Sequence, residues 1–229
     1  MENTRKCNYI SNKFGIDNIK RDKATILAAG GALAGFGLLE SRKELVFKEY
    51  YDTPNFFFSE NGITINKNVF KGSNVATLVV RYQTEKQRIE FLSDMPDVFE
   101  LKINKKDSIF KYVDYITECI GELAPYGLNV DVKKTLFGIV NVFTSKKQRE
   151  TYKYISFSGL KITLAFCKNK YYTNLNRNCE NMLMLEIDSE NVDKKPEYDA
   201  FIKKLKFNYP NLIELESSDY LLGKSLLFK

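Results

Sequence analysis

Runs of alternating apolar and polar residues, each closed by turn chemistry, recur along the whole of this chain and point it toward an antiparallel sheet. The clearest lie at 44–51, 62–69, 76–82, 88–92, 138–144, 151–157, 161–168 and 182–188, with a more polar one at 8–14. Asp52-Thr53-Pro54-Asn55 and Glu60-Asn61-Gly62 supply turns between them. Helical spacing of apolar residues (Ile109, Tyr112, Val113, Ile116, Ile120) marks 109–123, which Pro125 and Gly127 stop. A second amphipathic helix is expected at 198–205, and 17–40 includes a helix interrupted by glycines. No internal repeat, low-complexity linker or shift in composition divides the sequence. The expectation is a single α+β domain over 1–229, with about eight antiparallel strands in a closed or nearly closed barrel and flanking helices.

Composition narrows the chemistry. The chain has no His, which excludes imidazole-based triads and His-containing zinc sites. Lys and Arg exceed Asp and Glu by 35 to 29, a net +6 that suits either an anionic ligand or an ordinary solvated surface. Cys7, Cys119, Cys167 and Cys179 show no CxxC spacing, so free, mostly buried thiols in a reducing cytoplasm are expected. The apolar run 26–39 is shorter than the roughly 20 residues a membrane span requires, and it lacks the Lys-Ser/Thr of a phosphate loop. It reads as a buried Ala/Gly-rich helical or loop segment, with no membrane partner implied. Phe56-Phe57-Phe58, three rings after a turn, reads as a core anchor rather than a base-stacking surface.

Tyr50-Tyr51-Asp52-Thr53-Pro54, followed by Phe56 to Ile63, resembles a turn pattern of the CYTH superfamily, whose members include class IV adenylyl cyclases and several triphosphatases. Further landmarks follow in that family's order. Arg81 ends the strand Thr77-Leu78-Val79-Val80-Arg81; Arg88-Ile89-Glu90 is similar to an R-x-E strand; Ser145-Lys146-Lys147-Gln148-Arg149 looks like a basic strand ending in Arg. Leu185-Glu186-Ile187-Asp188 is similar to the late acidic strand, and Gly223-Lys224-Ser225 to the terminal K-S element. The resemblance implies an eight-stranded tunnel whose inward side chains grip a triphosphate. Lys13, Arg81, Arg88, Arg149 and Lys224 would hold phosphate. Glu90, Glu186 and Asp188 would bind Mg²⁺ or Mn²⁺ and serve any catalysis. Alternation in a strand puts Arg88 with Glu90, and Glu186 with Asp188, on one face.

The pattern also breaks. Where the family carries an E-x-E-x-K strand, this chain has Tyr9-Ile10-Ser11-Asn12-Lys13; where it carries R-x-R, this chain has Asn66-Lys67-Asn68; and Cys167 stands where an Asp is common. Each Arg replaced by Asn removes charge-assisted hydrogen bonds worth about 1.5–3 kcal/mol apiece, unless Lys67, Lys161 or other cations compensate. Glu2 and the segment 40–49 are alternative sources of carboxylates. Three functions follow: a weakened metal-dependent triphosphatase, a non-catalytic module for a triphosphate, polyphosphate, nucleoside triphosphate or RNA 5′ end, and an interaction scaffold. In the last, Tyr9, Cys167 and Met184 would pack a vestigial tunnel shut.

Overall fold

A computed structural model describes residues 4–6, 10–19, 22–27, 37–82, 98–123, 128, 130–173, 179–215 and 219–228. Ten strands occur among them: β1 (Thr4–Lys6), β2 (Ile10–Gly15), β3 (Gly37–Asp52), β4 (Ile63–Phe70), β5 (Val75–Tyr82), β6 (Val98–Asn104), β7 (Val140–Ile155), β8 (Lys161–Tyr172), β9 (Cys179–Ser189) and β10 (Ile213–Glu214). They form one sheet in the order β1-β6-β5-β4-β3-β7-β8-β9-β2-β10, and every neighbouring pair is antiparallel. The α+β class and antiparallel pairing agree with the sequence reading. The strand count exceeds the expected eight, and no pairing among the described residues joins the β1 edge to the β10 edge, so the sheet is open rather than a closed barrel.

Open does not mean flat. Lys13 on β2 and Arg81 on β5 lie six strands apart in sheet order, which a flat sheet would make about 29 Å at the usual strand spacing. Yet both line one hollow, and the Arg81 charge acts on the Lys13 ammonium. The sheet therefore curls around a concave face.

The outer, convex face carries the apolar cores. Helix α1 (Val113–Leu123) packs Ile116, Ile120 and Leu123 against Ile63, Ile65, Leu78, Val80 and Phe99 of β4, β5 and β6. Helix α2 (Lys195–Asn208) packs Tyr198, Phe201, Ile202 and Leu205 against Phe14, Leu164, Phe166, Leu185 and Ile187 of β2, β8 and β9. Burying both outer flanks leaves the inner positions free to be polar, since successive strand residues face opposite ways.

A last helix, α3 (Asp219–Leu227), lies against the concave side, where Tyr220 and Leu227 join Tyr50, Phe143 and Tyr171. Gly223 permits this docking: a Cβ there would come within 2.5 Å of the Phe143 ring. Asp52 fixes the same helix from the other side. Its carboxylate accepts from the backbone N–H of Thr53 (2.8 Å), Phe58 (2.9 Å) and Ser59 (3.0 Å), and from the Tyr220 hydroxyl (3.0 Å). The Tyr-Tyr-Asp-Thr-Pro turn thus closes the helical turn Phe57–Glu60 and ties α3 to it.

Several local expectations change. The separate strands at 138–144 and 151–157 are one continuous β7, and β3 begins at Gly37, so Leu38 lies exposed on a strand rather than in a buried Ala/Gly segment. Strand β6 and helix α3 have no counterpart in the sequence reading. The strand at 88–92, with Arg88 and Glu90, and Tyr9 and Cys7 lie outside the described residues. Cys119 and Cys167 are buried free thiols, and Cys179 is exposed. Among the described residues no helix is long and apolar enough to cross a membrane.

Candidate functional site

The concave face encloses a hollow of about 700 Å³, reached by side chains of every strand from β2 to β9. Register explains its layers. Tyr50 pairs with Phe143, Lys48 with Ser145, Val46 with Lys147 and Glu44 with Arg149. Lys147 pairs onward with Asn169 and Arg149 with Cys167, Cys167 with Met184 and Ala165 with Glu186, and Glu186 with Lys13 and Asp188 with Ser11. Read along the strands, an aromatic floor under α3 gives way to a ring of Lys48, Lys147, Glu186 and Lys13. Beyond it comes a shell of Arg149, Asp188, Ser11 and Glu44, and then the mouth.

At the centre stands Lys147, with a side chain only 4% exposed. Its Nζ lies 2.5 Å from Glu186 Oε1 and 3.2 Å from Asp219 Oδ2. Asp219, at the start of α3, also receives Lys48 Nζ at 2.8 Å and Lys13 Nζ at 3.1 Å. One layer out, Arg149 Nη2 donates to Asp188 Oδ2 at 3.0 Å, its Nε lies 3.6 Å from Glu186, and Ser11 Oγ donates to Asp188 Oδ1 at 2.7 Å.

These groups tune one another. Burial lowers the Lys147 and Lys13 ammoniums, but the carboxylates of Asp219 and Glu186 overcome it and raise both. For Lys48 burial wins, aided by Lys147, and its pKa falls despite Asp219. Burial pushes the Glu186 carboxyl up, yet Lys147, Lys13 and Arg149 bring it down to about 2. Asp188 goes the opposite way: burial and the neighbouring Glu186 charge raise it against Arg149. Two carboxylates on one strand face are thereby driven apart.

Of the sequence-predicted residues, Lys13, Arg81, Arg149, Glu186 and Asp188 meet around this hollow. Lys224 does not. Its Nζ lies 3.3 Å from Ser59 Oγ and 4.3 Å above the Phe56 ring, outside the hollow's lining, because its position on α3 turns it toward the Phe57–Glu60 turn. Asn66 and Asn68 do face inward, and Asn66 donates to Asn68 Oδ1 at 2.7 Å, while Lys67 points to the outer face and donates to the carbonyls of Lys105 (2.7 Å) and Asp107 (3.0 Å). Lys67 thus offers no compensation for the missing arginines, and Lys161 is not in the lining either. Cations that do stand there include Lys48, directly across from Asn68, and Lys147. Sequence reasoning misses both as site residues, and Asp219 with them. Of the alternative carboxylates, Glu44 lines the hollow.

Part of the tunnel is filled. Cys167, Met184 and Ala165 pack with Leu222 of α3 into an apolar plug at the floor. The Cys167 thiol, 3.5 Å from Glu186 Oε2, is raised by burial and by that carboxylate, so it is an inert packing group rather than a nucleophile.

The charge balance bears on a metal. Among the described residues, seven cations (Lys13, Arg42, Lys48, Arg81, Lys147, Arg149, Lys153) line the hollow against six acids (Glu44, Glu100, Glu186, Asp188, Glu190, Asp219). Among the described residues no three acidic or thiol side chains gather as a metal-binding group. Glu186 and Asp188 offer suitable hard oxygens, but Lys147, Arg149 and Ser11 already engage them. Two of the three predicted ligands for Mg²⁺ or Mn²⁺ are thus engaged by cations, and the third, Glu90, lies outside the described residues.

A curled antiparallel sheet with apolar helices outside and a charged hollow inside defines the class: the chain has the CYTH-like fold. No protein-family model and no curated protein matches its sequence. Solved structures do. A candidate adenylate cyclase from Vibrio parahaemolyticus is similar at 12% identity and TM-score 0.50, over 95% of this chain and 98% of that one. A candidate adenylyl cyclase from Hippeastrum, described as having a dominant triphosphatase activity, is similar at 12% identity and TM-score 0.54, over 95% and 96%. A candidate adenylate cyclase from Bacillus halodurans is similar at 10% identity and TM-score 0.50, over 87% and 90%.

Proposed function

We propose that the hollow binds a triphosphate or polyphosphate group, free or as part of a nucleoside triphosphate or RNA 5′ end, and that binding rather than hydrolysis is its main activity. The observation that carries this reading is the meeting of Lys13, Lys48, Arg81, Lys147 and Arg149, from four strands, on one concave face. A linear polyanion needs cations spaced along its length, with Arg suited to bidentate contact and Lys to a point charge. Curling the sheet supplies them from separate directions without unfolding any strand. The triphosphatase activity described for the Hippeastrum protein supports the same ligand class.

Binding requires exchange rather than simple filling. The cations are paired with Glu186, Asp188 and Asp219, so an incoming phosphate must take over their contacts. This exchange makes affinity moderate and strongly dependent on salt. The same pairing argues against efficient hydrolysis, because the acids that would otherwise orient a water or hold a metal are bonded to cations. The apolar plug beneath Glu186 favours a scaffold role for the floor alone, since the hollow above it is open.

Calorimetric titration of tripolyphosphate at low salt tests the proposal, alongside phosphate release measured with Mg²⁺ and with Mn²⁺. Binding that weakens steeply with salt, with release near background, is expected. Absence of binding by well-folded protein refutes the ligand class. Rapid release that Glu186→Gln abolishes replaces the binding module with an enzyme.

A further inference from the structure

Asp219 occupies an unusual place for a carboxylate. It is the first residue of α3, it is 6% exposed, and three ammoniums from three strands meet on its two oxygens: Lys13 from β2, Lys48 from β3 and Lys147 from β7. Surface ion pairs do not have this form. One buried and two partly buried lysines around one anionic group form a receptor for an anion, and the anion present is a side chain of the same protein. Burial alone would raise the Asp219 carboxyl, yet Lys13, Lys147 and Lys48 hold it well below the carboxylate range, so it stays ionised across ordinary conditions. The surrounding architecture places it there. Tyr220, the next residue, is bonded to Asp52, and Gly223 lets the helix seat against Phe143.

We propose that Asp219 is a specificity-determining residue that occupies the lysine cluster as a resident anion, so that only a ligand with several linked anionic groups displaces it. The inference rests on the reading of the hollow as a polyphosphate site and adds a selectivity rule to it. A single compact anionic group reaches only the lysines and gains little over Asp219, which is tethered and gives up little entropy on binding. A phosphate chain offers several charged oxygens at once. One end takes the lysines while neighbouring phosphates reach Arg149, which lines the same hollow and is paired with Glu186 and Asp188 rather than with Asp219. Because Asp219 begins the helix, a change of its side-chain rotamer vacates the cluster without undocking Tyr220 or Gly223.

The test is titration of wild-type protein and Asp219→Asn with tripolyphosphate and with orthophosphate. The wild type is expected to bind tripolyphosphate and to ignore orthophosphate. Asp219→Asn is expected to bind tripolyphosphate at least about tenfold more tightly and to gain orthophosphate binding, which narrows the ratio between the two ligands. Tripolyphosphate binding by the wild type with equal or weaker binding by the variant overturns the inference and leaves the hollow as a polyphosphate site. Binding by the variant alone supports it. No binding by either protein removes both readings. If Asp219→Asn fails to fold, the structure of the wild type with tripolyphosphate bound decides. An Asp219 carboxylate turned off the three lysines supports displacement, and one still seated on them beside bound ligand contradicts it.

Discussion

Replacing Lys147 with Met removes the charge on which two buried carboxylates depend. Its Nζ stands 2.5 Å from Glu186 and 3.2 Å from Asp219. At an effective dielectric of about 20 those contacts are worth about 7 and about 5 kcal/mol of raw Coulomb energy, and burying the ammonium takes back several. The relevant quantity is what Met leaves behind: Glu186 without its nearest partner and Asp219 with two lysines rather than three. Breaking a buried pair from one side costs about 3–5 kcal/mol. For a chain of this length each kcal/mol moves the melting temperature by about 2–4 °C, so a fall of about 6–20 °C is expected. Urea titration should show a lower midpoint with an unchanged slope, because the sheet itself is not opened. The double variant Lys147→Met with Glu186→Gln should recover part of that stability, since it removes the stranded charge. A Lys147→Met protein melting within about 2 °C of the wild type would refute the claim that this lysine organises the hollow.

Four further outcomes follow from the same contacts. Gly223→Ala places a methyl 2.5 Å from the Phe143 ring and should cost about 1–3 kcal/mol in a thermal melt, with exchange rising in α3. Asp52→Asn leaves four donors facing a group with one acceptor fewer, and should destabilise by about 1.5–3 kcal/mol in urea. In acid, Glu186, whose pKa falls from 4.5 to about 2, contributes stability that is complete above pH 4.5 and disappears as pH drops toward 2. The depressed Asp219 acts in the same direction and the raised Asp188 against it. Glu186 alone accounts for about 3 kcal/mol of the stability lost over that window in acid unfolding, so Glu186→Gln should lose correspondingly less. Lys224→Met should leave tripolyphosphate affinity unchanged in calorimetry, since that side chain packs on Phe56 and lies outside the hollow.

The outer half of the fold is more legible in the sequence than the inner half. Strands β4 and β5 and both long helices are readable because their apolar outer faces contrast with polar neighbours, as Ile63 and Ile65 do with Thr64 and Asn66. Strand β7 reads as two because in 145–150 neither face is apolar: Lys146, Gln148 and Glu150 point outward while Lys147 and Arg149 point into the hollow. A charged interior removes the very contrast that periodicity detects. The anion site is legible where resemblance marks it, at Lys13, Arg81, Arg149, Glu186 and Asp188. Lys48 gives no local signal, although its place two residues before Tyr50 puts it on the same strand face as that residue. Asp219 is the hardest to find. Its contacts with Lys13 and Lys48 span 206 and 171 positions, and α3 itself is disguised by an internal glycine whose purpose is close packing. Lys224 misleads in the opposite direction, since the K-S motif sits on that same helix but faces away.

A structure of the protein with tripolyphosphate bound tests the central claim most directly. Phosphate oxygens are expected within hydrogen-bonding distance of Lys48, Lys147 and Arg149, inside the curled sheet and with Asp219 turned aside. Phosphate bound only on the convex surface, with the lysine cluster still closed on Asp219 at saturating ligand, would contradict it.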